Sequence, residues 1–288
     1  LRYLVTGGAG FIGTNLIKRL LEEGHSVVSI DNYSTGKKEN HQEGCTYWEY
    51  DLSSGTNPIL GRDEYDVIFH LAALPRIQPS FDDPISTFNS NVLSTLTILE
   101  RVRRNKTPVV YAGSSSIHGD VYSNPYTHTK WQGEQLCKMY NQIYNLPIAI
   151  CRFYNVYGPY ELTDGSYCTL IGIFKNQYHN KQPLTITGDG EQRRDFTHVD
   201  DIVDGLMRVG NRLSLFKGGH IAGEEFEFGR GKNYSVNEIA DAFGDYPREY
   251  IPKRDGEMRE TLCTDRKSKK ELDWKPEKDI LDYVKGIV

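Results

Sequence analysis

The stretch Tyr3-Leu4-Val5-Thr6-Gly7-Gly8-Ala9-Gly10-Phe11-Ile12-Gly13 decides how the chain reads. Its first four residues have strand character, and the glycines after them stand at the spacing G-x-x-G-x-x-G. From Phe11 to Glu23, the residues Ile12, Leu16, Ile17, Leu20 and Leu21 recur at helical spacing, and Gly24 closes the segment. A second apolar run, Val27-Val28-Ser29-Ile30, ends in Asp31. The order is strand, glycine turn, helix, strand, acid.

That order has a chemical reading. Gly7, Gly10 and Gly13 let the backbone turn tightly and approach a pyrophosphate, and the helix opened by Phe11 and Ile12 offers it free N–H groups. Asp31 can accept hydrogen bonds from an adenosine ribose and would repel a 2′-phosphate, which favours NAD over NADP.

Outward from this unit, Asn32 to Lys38 is polar and reads as a loop, and Thr46 to Tyr50 reads as a strand. Asp51, before Leu52, is placed either to meet the adenine or simply to form a turn. Asp66 to Ala73 is a buried strand whose last residues, Leu71, Ala72 and Ala73, leave room for a cofactor at the carboxyl edge of a parallel sheet. His70 reads as a packed strand histidine. Pro84 to Arg104 has helical periodicity, with Asn91 on it within reach of the cofactor. Pro108 to Ala112 is the next strand, a helix runs from about Pro125 to Tyr144, and Pro147 to Arg152 is a further strand. Strands alternating with helices predict a doubly wound parallel α/β fold. Residues 1–154 are expected to form its dinucleotide-binding domain, completed by parts of 184–212, and 155–288 a smaller α+β lobe.

The totals exclude several classes. The 288 residues, 38% hydrophobic and 25% charged, describe a globular protein with room for a sizeable core. A net charge of −5 gives no footprint for nucleic acid. The five cysteines, Cys45, Cys137, Cys151, Cys168 and Cys263, form no C-x-x-C pair, so neither a zinc site nor a disulfide framework is expected. With no signal peptide and no apolar run near membrane-spanning length, a cytoplasmic protein without a membrane partner is expected. The chain opens at Leu1 and stops abruptly at Val288, so terminal residues are expected to lie beyond both ends.

Tyr126 and Lys130 share a helix face, four residues apart. With 19 tyrosines and 17 lysines, about one such spacing arises by chance. Two occur, and Tyr33/Lys37 falls in a glycine-containing loop. Ser114, at the end of a sheet strand, raises Tyr126/Lys130 above chance. A phenol is a poor base at neutral pH until its phenolate is stabilised, and a neighbouring ammonium can do that. Ser114, Tyr126 and Lys130 then form a proton relay beside a hydride acceptor.

Taken with Gly7 to Gly13, Asp31-Asn32, His70 to Ala73, Arg152 to Pro159 and Gly188 to Phe196, this trio resembles the extended short-chain dehydrogenases/reductases, above all the nucleotide-sugar epimerases of the UDP-galactose 4-epimerase type. The resemblance covers nearly the whole chain. It implies a Rossmann domain holding NAD, with Leu52, Phe153 and the residues named above lining the cofactor. Tyr126 would be the base, Lys130 would hold the nicotinamide ribose, and Ser114 and Ser115 would meet the sugar. Asn155, Arg194 and Arg254 would bind the diphosphate, and Glu257 the nucleotide ribose. The two long helices would pair in a homodimer, although their apolar faces could equally pack within one chain.

Dehydratase relatives carry an acid just after the position of Ser114, where this chain has Ser115, Ser116, Ile117 and His118. Elimination is therefore disfavoured, and oxidation and re-reduction at C4 of a UDP-hexose is the expected reaction. The alternatives are a 4-ketoreductase or 4,6-dehydratase on a GDP- or dTDP-sugar and, more distantly, a non-catalytic NAD-binding regulator. Further departures are the short Ser114–Tyr126 segment, His118 in place of a usual tyrosine and Ser94 in place of a usual glycine. Thr261 falls where relatives limit the 2-substituent of the sugar, and a small residue there implies tolerance of an N-acetyl group.

Overall fold

A computed structural model describes residues 1–55, 64–215 and 220–288. Its frame is a seven-stranded, all-parallel sheet. Six of the strands are β1 (Arg2–Thr6), β2 (Ser26–Asp31), β3 (Cys45–Glu49), β4 (Val67–His70), β5 (Val109–Ser114) and β6 (Ile148–Phe153), in the spatial order 6-5-4-1-2-3. The order reverses between β1 and β4, and the crevice outside the strand ends at such a switch point is where these sheets bind ligands.

Local chemistry sets the helices. α1 (Phe11–Glu22) follows the glycine turn, and Gly24 leaves it at φ +76°. α2 (Ile77–Asp82) is a short helix absent from the sequence reading, because Pro79 interrupts its pattern. The expected helix over 84–104 is α3 (Pro84–Phe88) and α4 (Ser94–Val102), joined through a wide π-turn over Asn89–Leu93. The Ser94 hydroxyl bonds the Ser90 carbonyl, and the Thr95 hydroxyl donates to the Asn91 carbonyl at 2.7 Å. α5 (Pro125–Tyr144) is capped by Asn124, whose side chain accepts from Thr127 N at 2.8 Å, and it ends at Asn145 in the left-handed region.

Beyond β6 the chain forms β7 (Val156–Tyr157), α6 (Leu170–His179), β8 (Leu184–Thr187), β9 (Arg193–Asp195), β10 (Thr197–His198) and α7 (Val199–Leu215). It continues through β11 (Glu225–Phe228), β12 (Asn233–Ser235), α8 (Val236–Asp241), β13 (Arg248–Ile251), α9 (Lys267–Glu271) and α10 (Ile280–Lys285). β11 returns to the large sheet as its seventh strand, parallel to β6. Of the segment 184–212, α7 packs on that sheet, whereas β8 pairs with β13 in the smaller lobe. The edge strand comes instead from 225–228, because alternating Glu225-Phe226-Glu227-Phe228 buries two rings on the sheet face.

Among the described residues, burial divides into three cores. α1, α7 and Trp274 cover one face of the sheet, and α4 and α5 cover the other. The third core, with Phe174, Phe243 and Ile280, belongs to the smaller lobe. Among the described residues no helix is long and apolar enough to cross a membrane.

Candidate active site

The glycine turn is fixed by contact. A Cβ on Gly13 would lie 2.2 Å from the Gly7 carbonyl oxygen, and one on Gly7, at φ +71°, would lie 2.9 Å from the Ala72 backbone. No side chain caps the start of α1, so its first N–H groups are left for a ligand. At the end of β2, Asp31 is buried, and its carboxylate accepts from Ala9 N at 2.9 Å and Tyr33 N at 2.8 Å. Burial raises its pKa, and those two backbone bonds oppose the rise. The open helix start, the glycine cradle and this carboxylate fit a dinucleotide.

One cleft of about 790 Å³ runs from this cradle across the carboxyl edge of the sheet into the smaller lobe. Gly7, Gly10, Phe11, Ile12, Gly13, Asp31, Asn32, Asp51, Leu52, Leu71, Ala72, Ala73 and Phe153 all line it. Asp51 forms the turn read for it, accepting from Ser53 N at 2.8 Å, and also faces the cleft. Asn91 stands apart from the cleft. It is buried, accepts from Leu74 N at 2.8 Å and donates to Thr129 Oγ1 at 3.0 Å, so it braces the Ala72–Leu74 loop against α5. His70 is packed, with ring nitrogens 2.7 Å from Thr6 Oγ1 and 3.0 Å from Thr95 Oγ1; burial and the Lys130 charge lower its pKa to about 3. The Tyr33/Lys37 pair bends into a turn, with Tyr33 at φ +56° and its hydroxyl on His41.

The trio expected to be catalytic, Ser114, Tyr126 and Lys130, gathers where β5 ends. Tyr126 Oη donates to Ser114 Oγ at 3.2 Å, and Ser114 Oγ also lies 2.9 Å from Ser116 Oγ. Lys130 Nζ donates to the Ala112 carbonyl at 2.5 Å and sits 4.8 Å from the Tyr111 ring centroid. Burial lowers the Lys130 pKa to about 8, against the opposing charge of Glu134 one turn on. Burial raises the Tyr126 phenol, while the Ser114 bond and a nearby cation lower it. That cation is Arg76, while Lys130 is turned to the Ala112 carbonyl. No sequence pattern marks Arg76.

The smaller lobe supplies the far end. Asn155, Arg194, Arg254, Glu257 and Thr261 line the cleft there, and Ser115, on the turn after β5, lines it from the sheet side. Asn155 Nδ2 donates to Thr261 Oγ1 at 3.0 Å and to the Asp195 carbonyl at 3.1 Å. Glu257 stands 3.6 Å from Arg194 and 3.8 Å from Arg254, so two guanidiniums share one carboxylate. Desolvation lowers the Arg194 pKa, and the Glu257 charge opposes that fall. His118 is turned behind the cleft, where its ring bonds Glu227 at 3.0 Å and stacks on Tyr154.

Comparison with known proteins gives the family. A family model, the NAD dependent epimerase/dehydratase family, matches residues 3–221. The UDP-glucose 4-epimerase of Mycolicibacterium smegmatis is 33% identical, covering 96% of this chain and 94% of its own. A solved epimerase of Methanothermobacter thermautotrophicus superposes with a TM-score of 0.89 at 31% identity, covering 99% of this chain and 91% of that one. The UDP-glucuronic acid 4-epimerase of Bacillus cereus, solved with UDP-glucuronic acid and NAD, gives 0.87 at 27% identity and covers both chains fully, at 100% each. The chain thus belongs to the NAD-dependent epimerase/dehydratase family, the nucleotide-sugar enzymes, and its cofactor is NAD.

Proposed function

We propose that the protein is a 4-epimerase of a nucleotide-activated hexose, with a UDP-hexose of the glucose/galactose or N-acetylglucosamine/N-acetylgalactosamine type as substrate. The observation that carries this reading is the hydrogen-bonded pair Tyr126–Ser114, set between the glycine cradle and the Arg194/Arg254 pair, with no carboxylate on the turn that follows Ser114.

Gly7 to Gly13 and Asp31 would hold NAD, with Lys130 swinging from the Ala112 carbonyl to its ribose. When bound, the cofactor supplies reversible hydride transfer at C4 of the sugar. The Ser114 hydroxyl orients the 4-oxygen, and Tyr126 takes its proton and later returns it. Arg194 and Arg254 hold the diphosphate while the oxidised sugar turns over, with Glu257 on the nucleotide ribose. Removal of a 6-hydroxyl would call for a carboxylic acid on that turn, and Glu227, which His118 bonds, is held by His118 and Arg152. The short Thr261 leaves space beside the 2-position.

The test is incubation with NAD, no reductant, and UDP-glucose, UDP-N-acetylglucosamine or their GDP and dTDP counterparts, followed by NMR of the sugar C1 proton. A C4-epimer signal without net NADH is the expected result. A 4-keto-6-deoxy product, or turnover only with added NADH, would replace epimerisation with dehydration or ketoreduction.

A further inference from the structure

Arg76 lies between β4 and α2 with φ 113° and ψ 137°. A side chain seldom adopts that backbone, which persists only where surrounding contacts impose it. The contacts are present. Arg76 Nε donates to the Tyr167 carbonyl at 3.1 Å, and Gln78 Nε2 donates to the Asp255 carbonyl at 2.8 Å. Tyr126 N donates to Ser80 Oγ at 3.1 Å, so α2 is tied to the first turn of the helix that carries the base. The terminal nitrogens of Arg76 make no hydrogen bond or ion pair with the described residues, and the side chain lines the cleft. A desolvated guanidinium is normally paired.

The groups whose charge reaches Arg76 are Tyr126 first, then Cys168, Glu161 and Glu257. Each of the last three is engaged elsewhere or set back: Glu161 accepts from Thr169 Oγ1 at 2.5 Å, Glu257 faces Arg194 and Arg254, and burial pushes the Cys168 thiol up. Around Tyr126, Lys130 on its own helix is turned to Ala112, Tyr111 on β5 is buried with its phenol pushed well up, and Asp82 and Asp120 line the same cleft. His118, on the turn after β5, is bound to Glu227.

We infer that Arg76 is a positioning residue for the reaction, held in a strained loop so that its guanidinium stands by Tyr126 and stabilises the phenolate that accepts the sugar proton. The inference rests on Tyr126 as the base, and its test does not depend on finding the sugar. In NAD-loaded protein carrying ¹³Cζ-tyrosine, the Tyr126 resonance is identified by its loss in Tyr126→Phe and followed through a pH titration. Arg76→Gln and Arg76→Gly, the second of which also relaxes the backbone, are expected to raise its midpoint by about one pH unit. Arg76→Lys should stay near the wild-type midpoint. With the sugar that the wild type epimerises, the rising limb of kcat/KM should move up by the same amount, a loss of about tenfold on that limb. An unmoved phenol midpoint in both charge-removing variants overturns the inference, as does a raised KM with an unmoved limb, which would assign Arg76 to the substrate. Failure of every sugar would end the proposed reaction alone, since the phenol titration needs no turnover.

Discussion

Lys130 binds the trio to the pH of its surroundings. Its pKa is lowered to about 8 by burial, so the ammonium is present below that value and lost as pH rises through it. If the ammonium is what holds the nicotinamide ribose, turnover should decline above about pH 8. Lys130→Arg, a cation that does not titrate there, should abolish that decline at the expense of rate; a pH profile of kcat for both proteins decides it. At Thr261 the expectation concerns sugar choice. Its hydroxyl accepts from Asn155 Nδ2 and Asp195 N and leaves the cleft open beside it. Thr261→Tyr should suppress turnover of an N-acetylated sugar by about tenfold or more while sparing the plain hexose, because an overfilled pocket rejects the larger group. Equal loss on both sugars would move the 2-position elsewhere. Tyr126, Lys130 and Ser114 were legible because spacing on a helix and the end of a strand are local properties of sequence. Arg76 was not, since its importance comes from a backbone angle and from loops that meet it from distant parts of the chain.

At the scale of elements, α5 is held in register by a buried charge cluster. Arg152 on β6 donates to both carboxylate oxygens of Glu134 on α5, to Glu227 on β11 at 2.9 Å and to Glu225. Glu134 is wholly buried, one turn beyond Lys130. Removing the cation leaves carboxylates uncompensated, so Arg152→Met should destabilise the fold by about 3–5 kcal/mol. Arg152→Met combined with Glu134→Leu should recover part of that loss in urea unfolding; strict additivity would mean the two side chains act independently. Periodicity showed where α5 and α1 run, and it also gave a helix over 84–104. The π-turn inside that helix escaped it, because the turn arises when Asn91 is drawn sideways to brace Leu74. β11 escaped for another reason. A four-residue strand carries little pattern, and its partner β6 is far upstream.

The whole molecule has an unfinished surface. Ile85 and Ile143 are 72% and 60% exposed, and Phe88 and Met139 are also exposed on the contacting helices α3 and α5. Apolar side chains gathered in this way usually have a partner, and a second copy of the chain pairing through these helices is the expected one. Light scattering should give a dimer, and Ile85→Asp with Ile143→Asp should give a monomer; a wild-type monomer would sink the idea. The parallel doubly wound sheet was readable because the strands β1 to β6 come in regular alternation with helices. The smaller lobe, built of strands two to four residues long, offered no such rhythm.

The seventh strand has a consequence for how the chain is born. β6 is complete long before β11 is synthesised, so a growing chain carries an unpaired, apolar sheet edge until residues 225–228 have left the ribosome. α7, needed to cover the sheet beneath, also arrives late. A premature stop after β6 would release a product that presents this sticky edge to its neighbours rather than a tidy cofactor-binding fragment. The later half of the chain thus supplies the strand that seals the sheet built by the earlier half.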